Sequence, residues 1–504
     1  EFWTRTLALS LHLRRECPEA RVGLMLPASI AACVGWLALL LAGKTPVMLN
    51  WTTGPTNFGH CVRLSGIRRI VSARGLLDRL AAQGFDPQAA EDAGASWLLL
   101  EEEAAKISPL AKISALARSR LALRGLERVA LPKQAAEHAA ILFTSGSESA
   151  PKGVPLSHEN ILANCRDISR ALVVTSRDRL LAMLPPFHSL GLTITMVLPL
   201  CFGMPVVTHP NPTEAARLNR LCRRWKPTIV VAPPTFLAAM LRQAQKGDLA
   251  SLRLGVVGAE ACPLSVYEAF AAQCGGVLCE GYGITECAPV VSVNRPEAPR
   301  PATIGQPLPS VQTVVVTVEG SMRRMPEGET GMLLVRGPNI FAGYLAGKDM
   351  PPPADPFVAF EGERWYRTGD LVRQAPDGHL TFAGRLGRFV KLGGEMISLP
   401  QMEQVLLAYQ AARDAQQPRE ENAGPALAVE AVERDGQPEL VLCSSVPFTV
   451  AEANNALRKA GLAALYAVRS VLEMETLPLL GSGKTDYRTL KRLLAENVEK
   501  TTKA

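Results

Sequence analysis

The sequence predicts an α/β protein in two parts. Residues 1–386 read as a large N-terminal domain of parallel α/β sheets with a small β-barrel-like subdomain, and residues 387–504 as a small α+β C-terminal domain. Three observations predict it. Through the first 300 residues, short apolar runs such as "AAILFTSGS", "RLLAMLPPF", "PTIVVAPPTF", "LRLGVVGAE" and "GGVLCEGYG" end in Gly, Pro or Ser and alternate with amphipathic stretches such as "LNRLCRRWK" and "VYEAFAAQC". That is the pattern of buried parallel strands and their crossover helices, with binding loops at the carboxyl ends of the strands. After about residue 300 the texture changes to "TVVVTVEG", "GMLLVRGP" and "GHLTFAGR", antiparallel strands joined by Gly-containing turns. From about residue 387 a smaller α/β segment runs to the end, with a surface loop or frayed helix over 413–424.

The elements follow in order. "VGLMLP" is a strand ended by Pro27, "SIAACVGWLALLLAG" a helix capped by Ser29 and stopped by Gly43, and "TPVMLN" the next strand. Residues 22–42 carry no charge, yet this helix has roughly fourteen residues, short of the about 20 that span a bilayer. At 141–160 a strand opens into Thr144, Ser145, Gly146, Ser147 and Ser149, then Pro151, Lys152 and Gly153, before a helix that begins near Ser157. Small hydroxylated residues and glycine let backbone N–H groups approach a polyphosphate, and Lys152 adds positive charge. Near the end, "GSGKT" has the look of a nucleotide-binding P-loop, but Pro478 stands where the Walker pattern needs glycine. Most of the residues after Lys484 form a helix with Leu490, Leu493 and Leu494 on one face, which leaves no room for a following parallel strand.

Composition narrows the function classes. Hydrophobic content of 47% and 20% charge describe a folded globular protein. The net charge of +7 comes from scattered arginines, which allows a docking patch for an acidic partner and excludes a nucleic-acid arm. The eleven cysteines include no C-x-x-C pair and no Cys/His cluster, which argues against structural zinc and a disulfide framework and fits a reducing cytosol. Cys274 and Cys279 read as two small buried side chains.

Five segments in order resemble the motifs of the adenylate-forming superfamily, which includes acyl-CoA synthetases, peptide-synthetase adenylation domains and luciferase. They are "TSGSESAPKGV" (144–154), "GYGITE" (281–286), "YRTGD" (366–370), "GRLGRFVKLGGEMISL" (384–399) and "GSGKTDYRTL" (481–490). The resemblance implies attack of a carboxylate on the α-phosphate of ATP, giving an acyl-adenylate and pyrophosphate, with ATP and Mg²⁺ as cofactors. By it, Thr144, Ser145, Gly146, Ser147 and Lys152 hold the β- and γ-phosphates. Glu286, with Thr144, ligates Mg²⁺, a hard cation that prefers a carboxylate plus phosphate oxygens. Thr285 contacts the α-phosphate, Asp370 and Arg385 hold the ribose, and Gly258, Ala259, Glu260, Tyr282 and Gly283 sandwich the adenine. His188 in "PPFHSLG" lines the carboxylate pocket. Lys484 reaches across from a mobile C-terminal domain to the carboxylate and the α-phosphate. After pyrophosphate leaves, that domain rotates about a hinge at Gly387 and presents Lys391, Gly393 and Gly394 to a thiol channel also lined by His188 and Gly283.

Within the superfamily, "ILFTSGSE", "PKGVPLSHENILAN", "GYGITECAPVVSVN", "GPNIFAGYL", "FVKLGGEMISL" and "PLLGSGK" resemble bacterial acyl-[acyl carrier protein] synthetases. The resemblance is particularly to the ligase half of the bifunctional 2-acylglycerophosphoethanolamine acyltransferase/acyl-ACP synthetase. It implies a fatty acid as substrate, acyl carrier protein as acceptor, a place in phospholipid repair or fatty acid recycling, and a cytoplasmic location at the inner face of the bacterial inner membrane. Because the chain does not begin with Met, it is expected to be a segment of a longer polypeptide whose preceding part carries the acyltransferase and any anchor. The alternatives are a fatty acyl-CoA ligase, which shares every adenylation residue, and a catalytically silent scaffold of the same fold. Three departures stand out: Ala150 replaces the glycine of the phosphate loop, Glu148 and Ser149 replace its common Thr-Thr pairing, and the hinge is Gly387 rather than lysine or aspartate.

Overall fold

A computed structural model describes residues 1–121, 136–144, 150–318, 320–347, 350, 353–392, 395–414, 425–434, 437–462, 466–479 and 485–502. The apolar runs form two parallel-type sheets. The first contains β1 (Arg21–Leu24), β2 (Thr45–Met48), β3 (Arg69–Ser72), β4 (Ser96–Leu99), β5 (Ala140–Phe143) and β6 (Gly153–Leu156) in the order β4-β3-β1-β2-β5-β6. The second contains β7 (Leu180–Ala182), β8 (Val206–Thr208), β9 (Ile229–Ala232), β10 (Leu254–Val257), β11 (Val277–Gly283), β12 (Val290–Val293) and β13 (Gln306–Pro307) in the order β13-β12-β11-β10-β9-β7-β8. Leu24 and Leu142 of the first sheet and Leu180 and Val231 of the second share one core with helices Ile30–Leu41 and His158–Ala171.

Local chemistry explains the boundaries. Ser29 caps helix Ile30–Leu41 by accepting the Ala32 N–H at 3.2 Å, and Gly43 follows it at φ 77°, where an L side chain would be strained. Ser157 and Asn160 form a reciprocal capping box at the start of helix His158–Ala171. Three strands depart from a purely parallel pattern. β6 pairs antiparallel with β5, and β12 and β13 run antiparallel beyond β11. The sequence reading runs from Gly153 to the helix near Ser157 without a strand; β6 contains Pro155 and lies at a sheet edge, where the missing N–H breaks no ladder.

The antiparallel texture after residue 300 becomes a half-barrel-like sheet of β14 (Gln312–Val316), β15 (Thr330–Arg336), β16 (Phe357–Phe360), β17 (Glu363–Gln374) and β18 (Leu380–Arg385). Beyond it come the hairpin β19 (Phe389–Leu392)–β20 (Glu395–Ser398) and the sheet β21 (Leu427–Arg434), β22 (Gln437–Ser444), β23 (Ser470–Glu473), flanked by helices Leu399–Asp414, Val450–Lys459 and Tyr487–Thr502. Helix Leu399–Asp414 takes in the start of the expected surface loop; 415–424 lie outside the described residues. Among the described residues no helix is long and apolar enough to cross a membrane.

The amino ends of the second sheet are tied by one buried aspartate. Asp178 accepts from Arg253 Nε and Nη2, each at 2.7 Å, and from the Thr228 hydroxyl at 2.8 Å. These groups immediately precede β7, β10 and β9. The carboxyl ends of the same strands carry the site.

Candidate active site

Two clusters of polar side chains meet over the carboxyl ends of the strands. The first lies around Thr144 and Lys152. Thr144 follows β5 and Lys152 precedes β6, so the hairpin brings them together: the Thr144 N–H donates to the Lys152 carbonyl (3.0 Å), and the Lys152 N–H donates to the Thr144 hydroxyl (3.2 Å). Ser145, Gly146 and Ser147, between them, lie outside the described residues. Thr285 and Glu286 sit on a short 3₁₀ turn, Thr285–Cys287, packed against β6. Glu286 is buried, and its Oε1 accepts from the Tyr344 hydroxyl at 2.8 Å.

Tyr344 also receives the phosphate-loop lysine: the Lys152 ammonium lies 4.9 Å from its ring centroid, within cation–π range. The segment that carries it is fastened on both sides, by the Phe341 N–H to the Glu286 carbonyl and the Leu345 N–H to the Gly153 carbonyl, each 2.9 Å. At Gly153 a Cβ would come within 2.9 Å of the Leu345 Cβ, so glycine is what lets this segment close on the loop.

The second cluster sits where β10 and β11 end. A Cβ on Gly258 would meet the Gly281 carbonyl at 2.8 Å, so the 258–260 and 281–283 segments lie against each other by backbone; one on Gly283 would meet the Pro289 carbonyl at 2.4 Å. Ala259 adopts φ 70°, and Glu260 accepts from the Thr235 hydroxyl at 2.6 Å. Tyr282, at the end of β11, donates its hydroxyl to Asp370 Oδ2. The β17–β18 register sets Asp370 opposite Arg385, whose Nε donates to Oδ1 at 2.8 Å. Asp370 is only 1% exposed. Burial and the Asp370 charge push the Tyr282 hydroxyl well above its usual range, so it stays a donor. The Asp370 charge likewise raises Arg385. Arg385 and Glu286 also act on one another electrostatically, as do Arg385 and Tyr344, so the clusters are two ends of one site.

The remaining candidates fall around this core. His188 is half-buried and precedes helix Ser189–Leu192; its ring lies 4.5 Å from Phe187, which is 4.5 Å from Trp51. Beside this loop is an apolar cavity of about 450 Å³ lined in part by Cys33, Leu184, Pro186, Gly191 and Met196. Gly387 is the middle residue of the 3₁₀ turn Leu386–Arg388. Lys391 pairs through its backbone with Met396, and its side chain lies outside the described residues, as do Gly393, Gly394 and Lys484. On either side of residues 480–484, Leu479 bridges Thr485, and the Asp486 N–H donates to the Pro478 carbonyl at 2.8 Å. Sequence reasoning gave no role to Tyr344 or Tyr366, although both stand in quoted motifs; the only signal was membership of "GPNIFAGYL" and "YRTGD".

The residues fit a metal delivered on a triphosphate. Among the described residues no group of three or more His, Cys, Asp or Glu could hold a metal ion, whereas Mg²⁺ bound to a nucleotide needs only one or two carboxylates and fills its octahedron with phosphate oxygens and water. The buried Glu286 supplies such a carboxylate. The backbone contact of the glycine segments, with Tyr282 and Asp370 beside it, fits a nucleoside.

The chain is similar to known proteins in sequence and in fold. The chain is 31% identical over 362 residues to novobiocin biosynthesis protein H of Streptomyces niveus, covering 70% of this chain and 57% of that protein. It is 30% identical over 297 residues to a long-chain-fatty-acid–CoA ligase of Bacillus subtilis, covering 57% and 51%. It thus spans about half the length of these curated relatives. Its fold is similar to that of O-succinylbenzoate coenzyme A synthetase from Bacillus subtilis, solved with AMP (TM-score 0.79, 21% identity, 97% of this chain and 92% of that one). It is also similar to ATP-bound MatB from Rhodopseudomonas palustris (TM-score 0.76, 22% identity, 98% and 92%). With a model of the AMP-binding enzymes matching residues 1–345, the chain belongs to the AMP-binding enzyme family.

Proposed function

We propose that the protein joins ATP to a carboxylic acid, forming an acyl-adenylate and pyrophosphate, and then passes the acyl group to a thiol. The observation that carries this reading is the pairing of a nucleoside-type end, Tyr282–Asp370–Arg385, with a cationic and carboxylate end, Lys152–Tyr344–Glu286, on one site. Carboxylate and triphosphate repel one another, so such a reaction depends on positioning and concentrated positive charge. Thr144, Ser145, Gly146, Ser147 and Lys152 would take the terminal phosphates, Glu286 and Thr144 the magnesium, Thr285 the α-phosphate, and Asp370 and Arg385 the ribose. Lys484, on a C-terminal domain beginning at 387, would bridge the acid and the α-phosphate, a task suited to a compact charge on a flexible stem. Rotation at Gly387 would then bring Lys391, Gly393 and Gly394 to the thiol channel.

We further infer a fatty acid as substrate, with the apolar cavity beside the His188 loop in support, and the phosphopantetheine thiol of acyl carrier protein as acceptor, from the motif resemblance. Coenzyme A is the second reading, favoured by the name of the Bacillus subtilis ligase. Exchange of labelled pyrophosphate into ATP tests the first half: it is expected to require both a fatty acid and Mg²⁺. ATP binding with no exchange for any acid would favour a silent scaffold. Single-turnover transfer from acyl-adenylate to carrier protein or coenzyme A tests the second half, and preference for coenzyme A overturns the carrier-protein assignment.

A further inference from the structure

Tyr344 is the point at which three separated sequence motifs touch. Its ring underlies Lys152 of the phosphate loop, its hydroxyl holds Oε1 of Glu286, and it stands itself in "GPNIFAGYL". The Tyr344 hydroxyl donates to Glu286 Oε1 at 2.8 Å. The Phe341 ring packs edge-on against Tyr344 and Tyr366, at 5.0 and 5.4 Å between centroids. Its N–H is bonded to Glu286's own carbonyl. The phenol is therefore held by backbone bonds on both sides and an aromatic wall.

This geometry limits what Glu286 can do. Its Oε1 already accepts a hydrogen bond from a fixed donor, so a cation approaching the carboxylate meets Oε2 on better terms. A carboxylate used through one oxygen suits the small octahedral shell of Mg²⁺. Ca²⁺, larger and with 6–8 ligands, gains from a carboxylate that can bind through both oxygens. We propose that Tyr344 is a positioning and specificity-determining residue: its hydroxyl makes Glu286 a one-oxygen ligand and so biases the nucleotide site toward Mg²⁺ over Ca²⁺, while its ring seats Lys152 independently of any metal. The proposal rests on the reading of this site as the ATP site.

The two roles of the phenol separate by substitution. Tyr344→Phe keeps the ring beneath Lys152 and removes only the hydroxyl; Tyr344→Leu removes both. The test is calorimetric titration of ATP into the full-length chain, without acid substrate, in EDTA, in excess Mg²⁺ and in excess Ca²⁺, with thermal melts alongside. In the unsubstituted protein, Mg²⁺ is expected to tighten ATP binding about tenfold more than Ca²⁺. In Tyr344→Phe this ratio falls to near one while affinity in EDTA stays within about twofold, because the Lys152 seat is retained. Tyr344→Leu adds a loss of about threefold or more in EDTA. Glu286→Gln abolishes the metal effect altogether.

A Mg²⁺-to-Ca²⁺ ratio unchanged by Tyr344→Phe overturns the proposal. So does an equal weakening under all three conditions, which would mark the hydroxyl as merely structural. Should the unsubstituted protein bind no ATP under any condition, the reading of the site itself fails, a result distinct from a retained metal preference.

Discussion

Two buried aspartates, at opposite ends of the molecule's parallel strands, use the same three components to different ends. Asp178 and Asp370 each accept from one arginine and from hydroxyls, two threonines at Asp178 and one tyrosine at Asp370. At the amino end of the second sheet, Arg253 engages Asp178 through two nitrogens, and the Thr228 hydroxyl with the Thr175 N–H and hydroxyl complete the shell. That is the two-pronged geometry in which guanidinium and carboxylate satisfy each other. In the candidate site, Arg385 reaches Asp370 through Nε, and the hydroxyl comes from Tyr282, at the end of β11. The first arrangement is closed on itself and holds strands together. The second leaves a guanidinium edge for another partner and takes its hydroxyl from a strand end beside the glycine segments. A buried Asp–Arg pair is thus not a functional signal; its place on the sheet and the donors it leaves over are.

The largest effect that sharpens this contrast belongs to neither aspartate. Lys484→Ala should lower pyrophosphate exchange by about 10³-fold, the scale of losing a charge aimed at the transition state, while thioester formation from supplied acyl-adenylate changes by less than about threefold. Equal losses in both half-reactions would contradict the domain-rotation account.

Next come the aspartates themselves. Asp370→Asn should weaken AMP binding by about 10- to 100-fold, the cost of removing a charged acceptor from buried donors. Asp178→Asn should lower the melting temperature and leave AMP binding unchanged. If Asp178→Asn weakened AMP as much as Asp370→Asn did, the distinction between the two ends would collapse. Tyr282→Phe removes one hydroxyl partner of Asp370 and should cost about tenfold in AMP affinity, again with Asp178 untouched.

The smallest effect is a pH dependence confined to the structural pair. Burial pushes the Asp178 carboxyl up, but the bonds from Arg253, Thr175 and Thr228 outweigh it and hold its pKa at about 2 against the ordinary 3.8. A carboxylate depressed in the folded state stabilises fully above its ordinary pKa, and that stabilisation is lost as pH falls toward the folded value. The stability gap between the unsubstituted protein and Asp178→Asn should therefore be constant above pH 3.8 and close as the pH falls to about 2. Equilibrium unfolding across that range measures it, and a gap that widens on acidification would contradict the pair's role.

The parallel strands were legible in the sequence because each is an apolar run ended by Gly, Pro or Ser, and the helix starts at Ser29 and Ser157 because capping is local chemistry. Strand β6 was not, since its Pro155 speaks against a strand until its edge position is known. The turn that follows β5 could be read from its small residues and glycine, whereas the glycine segments at 258 and 283 came from the family resemblance alone. Tyr344 could not: Glu286, Tyr344 and Lys152 meet only after the half-barrel sheet folds back on β6, and a tyrosine in "GPNIFAGYL" has no pattern that marks a metal-orienting phenol. The bonding of Asp370 to Tyr282 spans 88 positions, a separation at which no periodicity speaks.

The central claim, that the site joins a carboxylate oxygen to the α-phosphorus of ATP, has a direct test in the fate of that oxygen. The protein is incubated with ATP, Mg²⁺, thiol acceptor and a fatty acid carrying ¹⁸O in its carboxylate, and the AMP released is weighed by mass spectrometry. Attack on the α-phosphorus followed by thiol attack on the acyl carbon leaves one labelled oxygen on AMP, and the account predicts that label. Thioester formed with unlabelled AMP, or with ADP in its place, would contradict it.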